Sequence, residues 1–278
     1  RCISTARAGD LLSLQQRVNP GFSPRGKAPF PLSVAWEDDF LALVIKPAGV
    51  VSHPPPGGAA GGRSMRTAIA HGLRPPPPST PSALYRPHLC HRLDKPTYGL
   101  LLCAKTKHAL LGLQAAFAER RVKKRYHAIV CGWVEGKEGQ VESELDGKHA
   151  STIWRVLRRA RSLRLGGGHL TELALFPRTG RMHQLRRHCS EELGAPIVGD
   201  KQYGGHDAGC GLLLAALELQ FDHPCDEGRR VAVAIEPPSK FGKLMGREHS
   251  RWEQFQGKGS KDLDQRQSAE PVTATPIK

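Results

Sequence analysis

The stretch His91-Arg-Leu-Asp-Lys-Pro-Thr-Tyr-Gly-Leu100 places Asp94 beside basic residues and directly ahead of an apolar run at residues 100–104. A continuous apolar run of this length predicts a buried strand. The polar residues before it would lie at the mouth of that strand, where a rigid element presents side chains to a cleft. A surface ion pair of Asp94 with Arg92 or Lys95 would contribute only ~0 to 1 kcal/mol. The other blocks of the sequence therefore decide what Asp94 does.

Five blocks of the sequence resemble the RluA-type pseudouridine synthases and occur in the order found in that family. They are KPAGVVSHP at 46–54, HRLDKPTYGLLL at 91–102, KKRYHAIVCG at 123–132, TGRMHQLRRH at 179–188 and APIVGDKQYG at 195–204. The resemblance extends from about Trp36 to Phe241. It implies an RNA pseudouridine synthase, an enzyme that isomerises uridine to pseudouridine in structured RNA, either tRNA or rRNA.

The resemblance also implies which residues act. In the family the aspartate of HRLD is essential, a tyrosine at the start of the next long strand lies against the target base, and the arginine of HQLR pairs with the aspartate. These positions match Asp94, Tyr126 and Arg186, and the last pairing predicts a separation near 3 Å. The arginine that takes part in flipping the nucleotide out of its stack matches Arg92. The further candidates for substrate binding are His91, Thr97, Lys124, Arg181 and His183.

The chain departs from the family pattern at two places. Tyr98 stands where the family usually has serine, and Ala215-Ala216 stands where it usually has histidine and alanine. Neither change touches the three catalytic positions. Because Tyr98 is bulky and follows Asp94 by four residues, it bears on the fit of the substrate.

The implied chemistry requires one carboxylate and no redox or metal cofactor. The bond between ribose C1′ and uracil N1 breaks, the base turns, and C5 forms the new bond, so nothing is oxidised or hydrolysed. An ionised Asp94 begins the reaction by attacking C1′ or by removing a ribose proton to give a glycal, and the sequence leaves both routes open. A nearby opposite charge on Arg186 favours the ionised form. Tyr126 offers an aromatic face to the detached uracil and a hydroxyl that could move the C5 proton.

The charge balance indicates a polyanionic partner. The 41 Lys and Arg residues exceed the 26 Asp and Glu residues, which gives a formal net charge of +15. The excess is concentrated at residues 120–125, 155–164 and 181–187. We expect the first two clusters to contact RNA phosphates, which positions RNA without reading its sequence.

The cysteines and the apolar segments restrict the other partners. The seven cysteines include no Cys-x-x-Cys pair, so the sequence predicts neither a disulfide framework nor a zinc site, and a reducing intracellular compartment fits best. No stretch approaches the ~18 to 20 apolar residues of a membrane span. The chain starts at Arg1 rather than at methionine. We therefore expect an incomplete N-terminus, so the sequence does not decide whether the compartment is the cytoplasm, the chloroplast or the mitochondrion. Separately, we expect the protein to be a monomer.

The pattern of elements predicts an α+β fold, a single catalytic domain over residues 32–245. A central mixed, largely antiparallel sheet with flanking helices and a basic cleft is expected. Residues 1–31 predict an N-terminal extension, which could be the end of a truncated RNA-binding domain. Residues 246–278 predict a polar, disordered tail.

Periodicity and capping signals predict the individual elements. The expected helices are 64–73, 107–120 after the cap Thr106, and 181–193 before Gly194. On the third helix His183 and Arg187 would share one face, with Arg186 about a third of a turn away. The expected strands are 40–45, 100–104, 124–134, 150–163, 170–176, 212–221 and 231–235, and the proline-rich run that ends at Pro81 predicts a surface insertion.

Two other functional classes stay open at this point. A catalytically silent RNA-binding protein of the same fold would keep the basic clusters and could tolerate the loss of Asp94 or Arg186. A glycoside or nucleoside hydrolase would usually need a second carboxylate for acid/base work. The acidic residues Glu142, Glu144 and Asp146 form no recognisable pattern with the block that contains Asp94.

Overall fold

The computed structural model of the protein describes residues 27–54 and 63–267, with side chains described up to residue 256. The strands in this part of the chain are β1 (Ser33–Glu37), β2 (Leu41–Lys46), β3 (Ala83–Leu89), β4 (Tyr98–Thr106), β5 (Lys123–Cys131), β6 (Glu138–Leu145), β7 (Lys148–Arg161), β8 (His169–Pro177), β9 (Leu214–Asp222) and β10 (Arg230–Ala234). The α-helices are α1 (Met65–Gly72), α2 (Lys107–Ala118), α3 (Gln184–Arg187) and α4 (Ser239–Gln267). Across these residues, no helix is both long and apolar enough to span a membrane.

The ten strands form one sheet in the order β1-β2-β4-β9-β5-β8-β7-β6, with β3 also paired to β4 and β10 also paired to β9. The β4–β9 pair is parallel, and the other strand pairs of the described residues are antiparallel. This architecture confirms the predicted α+β class with a mixed, largely antiparallel sheet.

The two halves of the sheet meet where β4 lies beside β9. Tyr98 is opposite Ala215 and Gly99 is opposite Ala216. Gly99 has φ +129°, and a Cβ built there would lie 2.0 Å from the Ala216 carbonyl oxygen. Only glycine permits both this dihedral angle and this approach. The junction places the strand that follows Asp94 close to β5, which pairs with the other side of β9.

The two helices predicted over 64–73 and 107–120 are present in the structure, and each begins at a side-chain cap. The Ser64 hydroxyl accepts a hydrogen bond from the Thr67 amide at 3.2 Å and begins α1. The Thr106 hydroxyl accepts from the Ala109 amide, also at 3.2 Å, and begins α2. Each cap occupies an amide that has no partner within its helix.

The helix predicted over 181–193 is wrong in its first turn. α3 begins at Gln184 and continues after Arg187 as a π-helical turn, His188–Glu192. His183 has φ +53°, and the Arg181 amide donates to the Gln184 side-chain oxygen at 3.0 Å. Residues 181–183 therefore form a loop, and His183 does not share a helical face with Arg187.

A disordered tail was predicted over residues 246–278, whereas in the structure α4 continues past residue 246 to Gln267. Phe241, Leu244 and Met245 are buried in one apolar cluster with the sheet. Glu248, 1% exposed, accepts a 2.7 Å hydrogen bond from the Ser162 hydroxyl. These contacts hold the first turns of α4 on the sheet. The predicted N-terminal extension, up to residue 26, and the last residues, 268–278, lie outside the described residues.

Three strands of the structure are not predicted from the sequence: β1, β3 and β6. β3 contains Pro87, and it tolerates proline because it pairs with β4 alone. β6 is an edge strand whose Val141 and Leu145 are buried between exposed polar residues. β3 and β6 are each held by one neighbouring strand, so the sequence of either segment alone is a weak indication of a strand.

Replacing Gly99 by alanine is expected to disrupt the junction of the sheet. The new Cβ would clash with the Ala216 backbone. We expect this clash to lower the free energy of unfolding by about 1 to 3 kcal/mol, in addition to the loss caused by placing alanine at a positive φ. The matched control is Gly132→Ala, since Gly132 has φ +114° and nothing lies within 4 Å of its added Cβ. Urea unfolding of both variants measures the difference, and equal losses of stability would contradict a steric role for Gly99.

Candidate active site

A cleft of about 620 Å³ opens where three parts of the chain meet: the loop before β4, the start of β5 and the loop that leads into α3. All nine residues predicted for the site line this cleft, namely His91, Arg92, Asp94, Thr97, Lys124, Tyr126, Arg181, His183 and Arg186. The fold thus brings together residues that lie about ninety positions apart in the sequence.

The Arg186 guanidinium and the His183 imidazole approach one oxygen of the Asp94 carboxylate. Arg186 Nη1 lies 3.7 Å from Asp94 Oδ2, and His183 Nε2 lies 3.8 Å from the same atom. The first distance makes an ion pair and is too long for the hydrogen bond near 3 Å that the sequence predicts. The Asp94 side chain is 23% exposed, so the carboxylate faces the cleft.

The hydrogen bonds of the Arg186 guanidinium go to a different carboxylate, Asp200. Arg186 Nε and Nη2 donate to the two oxygens of Asp200, both at 2.7 Å, in a bidentate pair. The Asp200 side chain is fully buried and also accepts from the Gln202 and Tyr203 amides. With two of its nitrogens held in this way, Arg186 presents Nη1 to Asp94.

Tyr203 contacts both Arg186 and His183. Its ring centroid lies 4.9 Å from the Arg186 guanidinium carbon, within range of a cation–π contact. Its hydroxyl lies 3.0 Å from His183 Nδ1, at hydrogen-bonding distance. The block APIVGDKQYG therefore supplies two residues, Asp200 and Tyr203, that the sequence did not identify as part of the site.

The backbone on both sides of Asp94 is held by the block KPAGVVSHP. The Ser52 hydroxyl donates to the Leu93 carbonyl at 2.8 Å and accepts from the Leu93 amide at 3.1 Å. The Gly49 amide and the Lys46 ammonium donate to the Lys95 carbonyl at 2.8 and 3.0 Å. These contacts fix the residues immediately before and after Asp94.

Lys46 is a second buried cation near the site. Its ammonium also donates to the Val50 and Pro47 carbonyls at 2.7 and 3.0 Å, and none of the residue is exposed. Burial lowers the pKa of Lys46 to about 8, and the charge of Asp94 opposes that shift. Sequence reasoning found the block that contains Lys46 but did not assign the lysine a role.

The loop before α3 is fixed to β7 by the side chain of Gln184. Its amide nitrogen donates to the Ser151 carbonyl at 3.0 Å and to the Thr152 hydroxyl at 2.9 Å. Its oxygen accepts from the Thr179 hydroxyl at 2.7 Å. These hydrogen bonds anchor the loop. Met182, which is 68% exposed, lies in the anchored loop at the rim of the cleft.

Tyr126 and Lys124 enter the cleft from β5. Burial and then the nearby Asp94 charge raise the pKa of the Tyr126 hydroxyl, so the phenol keeps its proton. Burial lowers the pKa of Lys124, whose ammonium lies 3.4 Å from the Thr179 carbonyl. Thr97 is buried, and its amide donates to the Asp94 carbonyl at 3.1 Å, which closes the turn after Asp94.

His91 lines the cleft, but its ring nitrogen is bound to backbone. His91 Nε2 accepts a hydrogen bond from the Leu102 amide at 3.0 Å, and the ring packs 4.9 Å from the ring of Phe117. Burial and the charge of Lys124 lower the pKa of His91 to about 3. A neutral imidazole therefore joins the loop before Asp94 to β4.

The basic clusters divide between the cleft and internal contacts. Arg92 is exposed on the cleft, and its side chain has no hydrogen bond or ion pair among the described residues. In the cluster at 120–125, Arg121 and Arg125 pair with Glu119 and Glu218. In the cluster at 155–164, the side chains engaged elsewhere are Arg158 with Glu172, Arg159 with the Val134 carbonyl and the Trp133 ring, and Arg161 with the Trp252 ring. The expectation that both clusters contact RNA phosphates stays a prediction.

The two departures from the family pattern lie together and outside the cleft. Tyr98 packs on the apolar cluster that contains Ala215 and Phe241. Ala216 faces the other way and packs with Leu93. Tyr98 is larger than the usual serine, and its strand partner Ala215 is smaller than the usual histidine, so the two departures offset each other in volume. Neither residue lines the cleft.

No group of three or more His, Cys, Asp or Glu residues that could hold a metal ion occurs in the described part of the chain. The cleft combines one carboxylate, that of Asp94, and the protonated phenol of Tyr126 with six basic groups: Arg92, Arg120, Lys124, Arg178, Arg181 and Arg186. Such a lining attracts a polyanion and presents a single carboxylate to it.

Comparisons with known proteins show which proteins the chain is similar to. A family model described as RNA pseudouridylate synthase matches residues 41–191. An uncharacterized RNA pseudouridine synthase of Aquifex aeolicus is 30% identical over 247 residues, covering 79% of this chain and 74% of the relative. The ribosomal large subunit pseudouridine synthase D of Borreliella burgdorferi is 33% identical over 210 residues, covering 69% and 61%. The solved structure of human RNA pseudouridylate synthase domain containing 4 shares the fold, with a TM-score of 0.57 at 24% identity over 75% of this chain and 90% of that chain.

The half-buried His91 is expected to cause a loss of stability in mild acid. Its pKa is about 3 when folded and 6.5 when unfolded, so below pH 6.5 the unfolded chain binds the proton first. Between pH 7 and pH 5 we expect His91 to account for a loss of about 2 kcal/mol in the free energy of unfolding. His91→Gln should remove that part of the pH dependence, whereas His108→Gln, at an exposed position on α2, should not. Equal pH profiles for the wild type and His91→Gln would refute the assignment.

Asp200 and Asp207 provide a matched test of the buried pair. Asp200→Asn leaves the Arg186 guanidinium buried without its counter-charge, which we expect to cost about 3 to 5 kcal/mol. Asp207 lies in the same segment and pairs with Lys201 on the surface, so Asp207→Asn should leave stability nearly unchanged. Denaturant unfolding compares the two, and a neutral Asp200→Asn variant would show that Arg186 does not need this partner.

Proposed function

The chain belongs to the RNA pseudouridylate synthase family, as its sequence blocks predict, and we propose that it isomerises uridine to pseudouridine in structured RNA with Asp94 as the catalytic carboxylate. The observation that carries the proposal is the convergence on Asp94. The Arg186 guanidinium and the His183 imidazole lie within 3.8 Å of one of its oxygens, and the backbone is held on both sides of the residue. A carboxylate held in this way is prepared for one orientation of the substrate.

The target uridine first leaves its stack. A base inside a duplex cannot reach Asp94, so the nucleotide is extruded, which costs a few kcal/mol. Arg92 is exposed, unpaired among the described residues and two positions from Asp94. Its guanidinium is free to occupy the space that the uridine leaves. Phosphate contacts by the basic groups of the cleft offset the cost of extrusion.

Asp94 then starts the chemistry as an ionised carboxylate. Attack on C1′ and removal of a ribose proton both begin from this state, and both release uracil from the sugar. Arg186 and His183 lie within 3.8 Å of Oδ2, so we expect Oδ1 to be the oxygen that acts on the ribose. Arg186 acts as a positioning residue that is itself fixed by Asp200.

Tyr126 holds the detached uracil and has a proton to exchange. Its ring borders the cleft, and its raised pKa keeps the hydroxyl protonated until a partner accepts the proton. The phenol contacts uracil while the base turns, and it can relay the proton that leaves C5. Thr97, Lys124, Arg181 and His183 complete the binding surface around it.

We further propose that residues 32–245 form the catalytic domain, and that the protein acts as a monomer on tRNA or rRNA in a reducing intracellular compartment. The family match within residues 41–191 and the sheet that extends to β10 support the domain. The six cysteines of the described residues are all free, which fits a reducing compartment.

Asp94→Asn is expected to reduce isomerisation to background while RNA binding persists, because the substitution keeps the size and removes the charge. Release of tritium from uridine labelled at C5 measures the reaction, and a filter-binding assay on the same RNA measures affinity. The matched control is Asp146→Asn, since Asp146 is an exposed aspartate paired with Arg187. Retained turnover in Asp94→Asn would eliminate the mechanism, and a wild type that binds RNA without isomerising it would favour the silent RNA-binding alternative.

A further inference from the structure

A second pocket of about 220 Å³ lies next to the catalytic cleft and has no role in the reaction described above. Five of the residues that line it are basic: Arg120, Lys123, Lys124, Arg155 and Arg178. None of the lining residues is acidic, and Ile153 and Phe176 form its apolar part. We refer to it as the side pocket.

The side pocket is continuous with the catalytic cleft. Arg120, Lys124 and Arg178 belong to the lining of both, together with Val122 and Pro177. A chain of phosphates that leaves the cleft can therefore enter the side pocket while it remains in contact with basic side chains.

We propose that the side pocket binds a nucleotide adjacent to the target uridine on the same RNA strand. The proposal rests on the function proposed above and adds a second point of attachment for the substrate. Lys123, Arg155 and Arg178 contact the phosphates, and the base lies against the ring of Phe176. Unpaired bases commonly stack on aromatic rings of proteins in this way.

The state of the basic side chains supports this assignment. Lys123 and Arg178 are exposed, and their side chains have no hydrogen bond or ion pair among the described residues. Arg155 pairs with Glu138 at 2.8 Å, but both side chains are more than 60% exposed. A phosphate can replace such a surface carboxylate at little cost. The Arg155 guanidinium carbon lies 5.8 Å from the centre of the Phe176 ring, so charge and aromatic surface lie together.

The phosphate contacts are tested with a nine-nucleotide oligouridylate labelled with fluorescein. Each phosphate contact contributes about 0.7 to the slope of log K against log salt for a single strand. The double variant Lys123→Gln/Arg155→Gln should therefore show a slope shallower by about 1.4 than the wild type. The control Lys107→Gln/Arg230→Gln removes the same charge at exposed sites on α2 and β10 and should keep the wild-type slope. Equal slopes in the two double variants would overturn the proposal.

The aromatic contact is tested with Phe176→Leu, which keeps an apolar residue and removes the ring. Binding of the oligouridylate should weaken about tenfold, whereas binding of an oligomer of the same length with abasic sites should not change. Equal losses on both oligomers would rule out a stacked base. Tritium release by the wild type is measured in parallel. Its absence would count against the proposed isomerisation, whereas the slopes and the abasic comparison report on the side pocket independently.

Discussion

The rest of the structure depends on the short parallel contact between β4 and β9. Its two residue pairs bring the loop of Asp94, which precedes β4, beside the half of the sheet that carries Tyr126 and the α3 loop. The contact exists because Gly99 has no side chain at the point where the Ala216 carbonyl approaches. The contact thus joins the two largely antiparallel halves of the sheet, and the cleft lies near this junction. A residue with no chemistry of its own decides whether the reactive groups meet.

The site is held by contacts between blocks that are distant in sequence. KPAGVVSHP fixes the backbone around Asp94 through Lys46, Gly49 and Ser52, while APIVGDKQYG fixes the Arg186 guanidinium through Asp200. In both cases a buried or half-buried polar group finds its hydrogen bonds in another part of the chain, as burial requires. The blocks that contain Asp94 and Arg186 are thus each supported by another block of the sequence. Orientation of the carboxylate is therefore a property of the whole domain.

Much of this was predictable from the sequence, and the failures have identifiable physical causes. Ser64 and Thr106 act within their own helices, so local signals were sufficient to predict α1 and α2. The start of α3 was not predictable, because the Gln184 side chain bonds to residues about thirty positions away and displaces the first helical turn. The nine site residues were predicted from motifs, but Asp200 and Lys46 were missed. Their roles depend on partners that only the folded chain brings close.

The approach of Arg186 and His183 to a single oxygen of Asp94 has a consequence for selectivity. Arg186 Nη1 and His183 Nε2 both lie within 3.8 Å of Oδ2, so the two oxygens of the carboxylate have different surroundings. For the catalytic role that we propose for Asp94, a nucleotide then meets a different oxygen according to the side from which its sugar enters the cleft. Selection of correctly presented nucleotides would begin at the carboxylate, before any contact that reads the identity of the base.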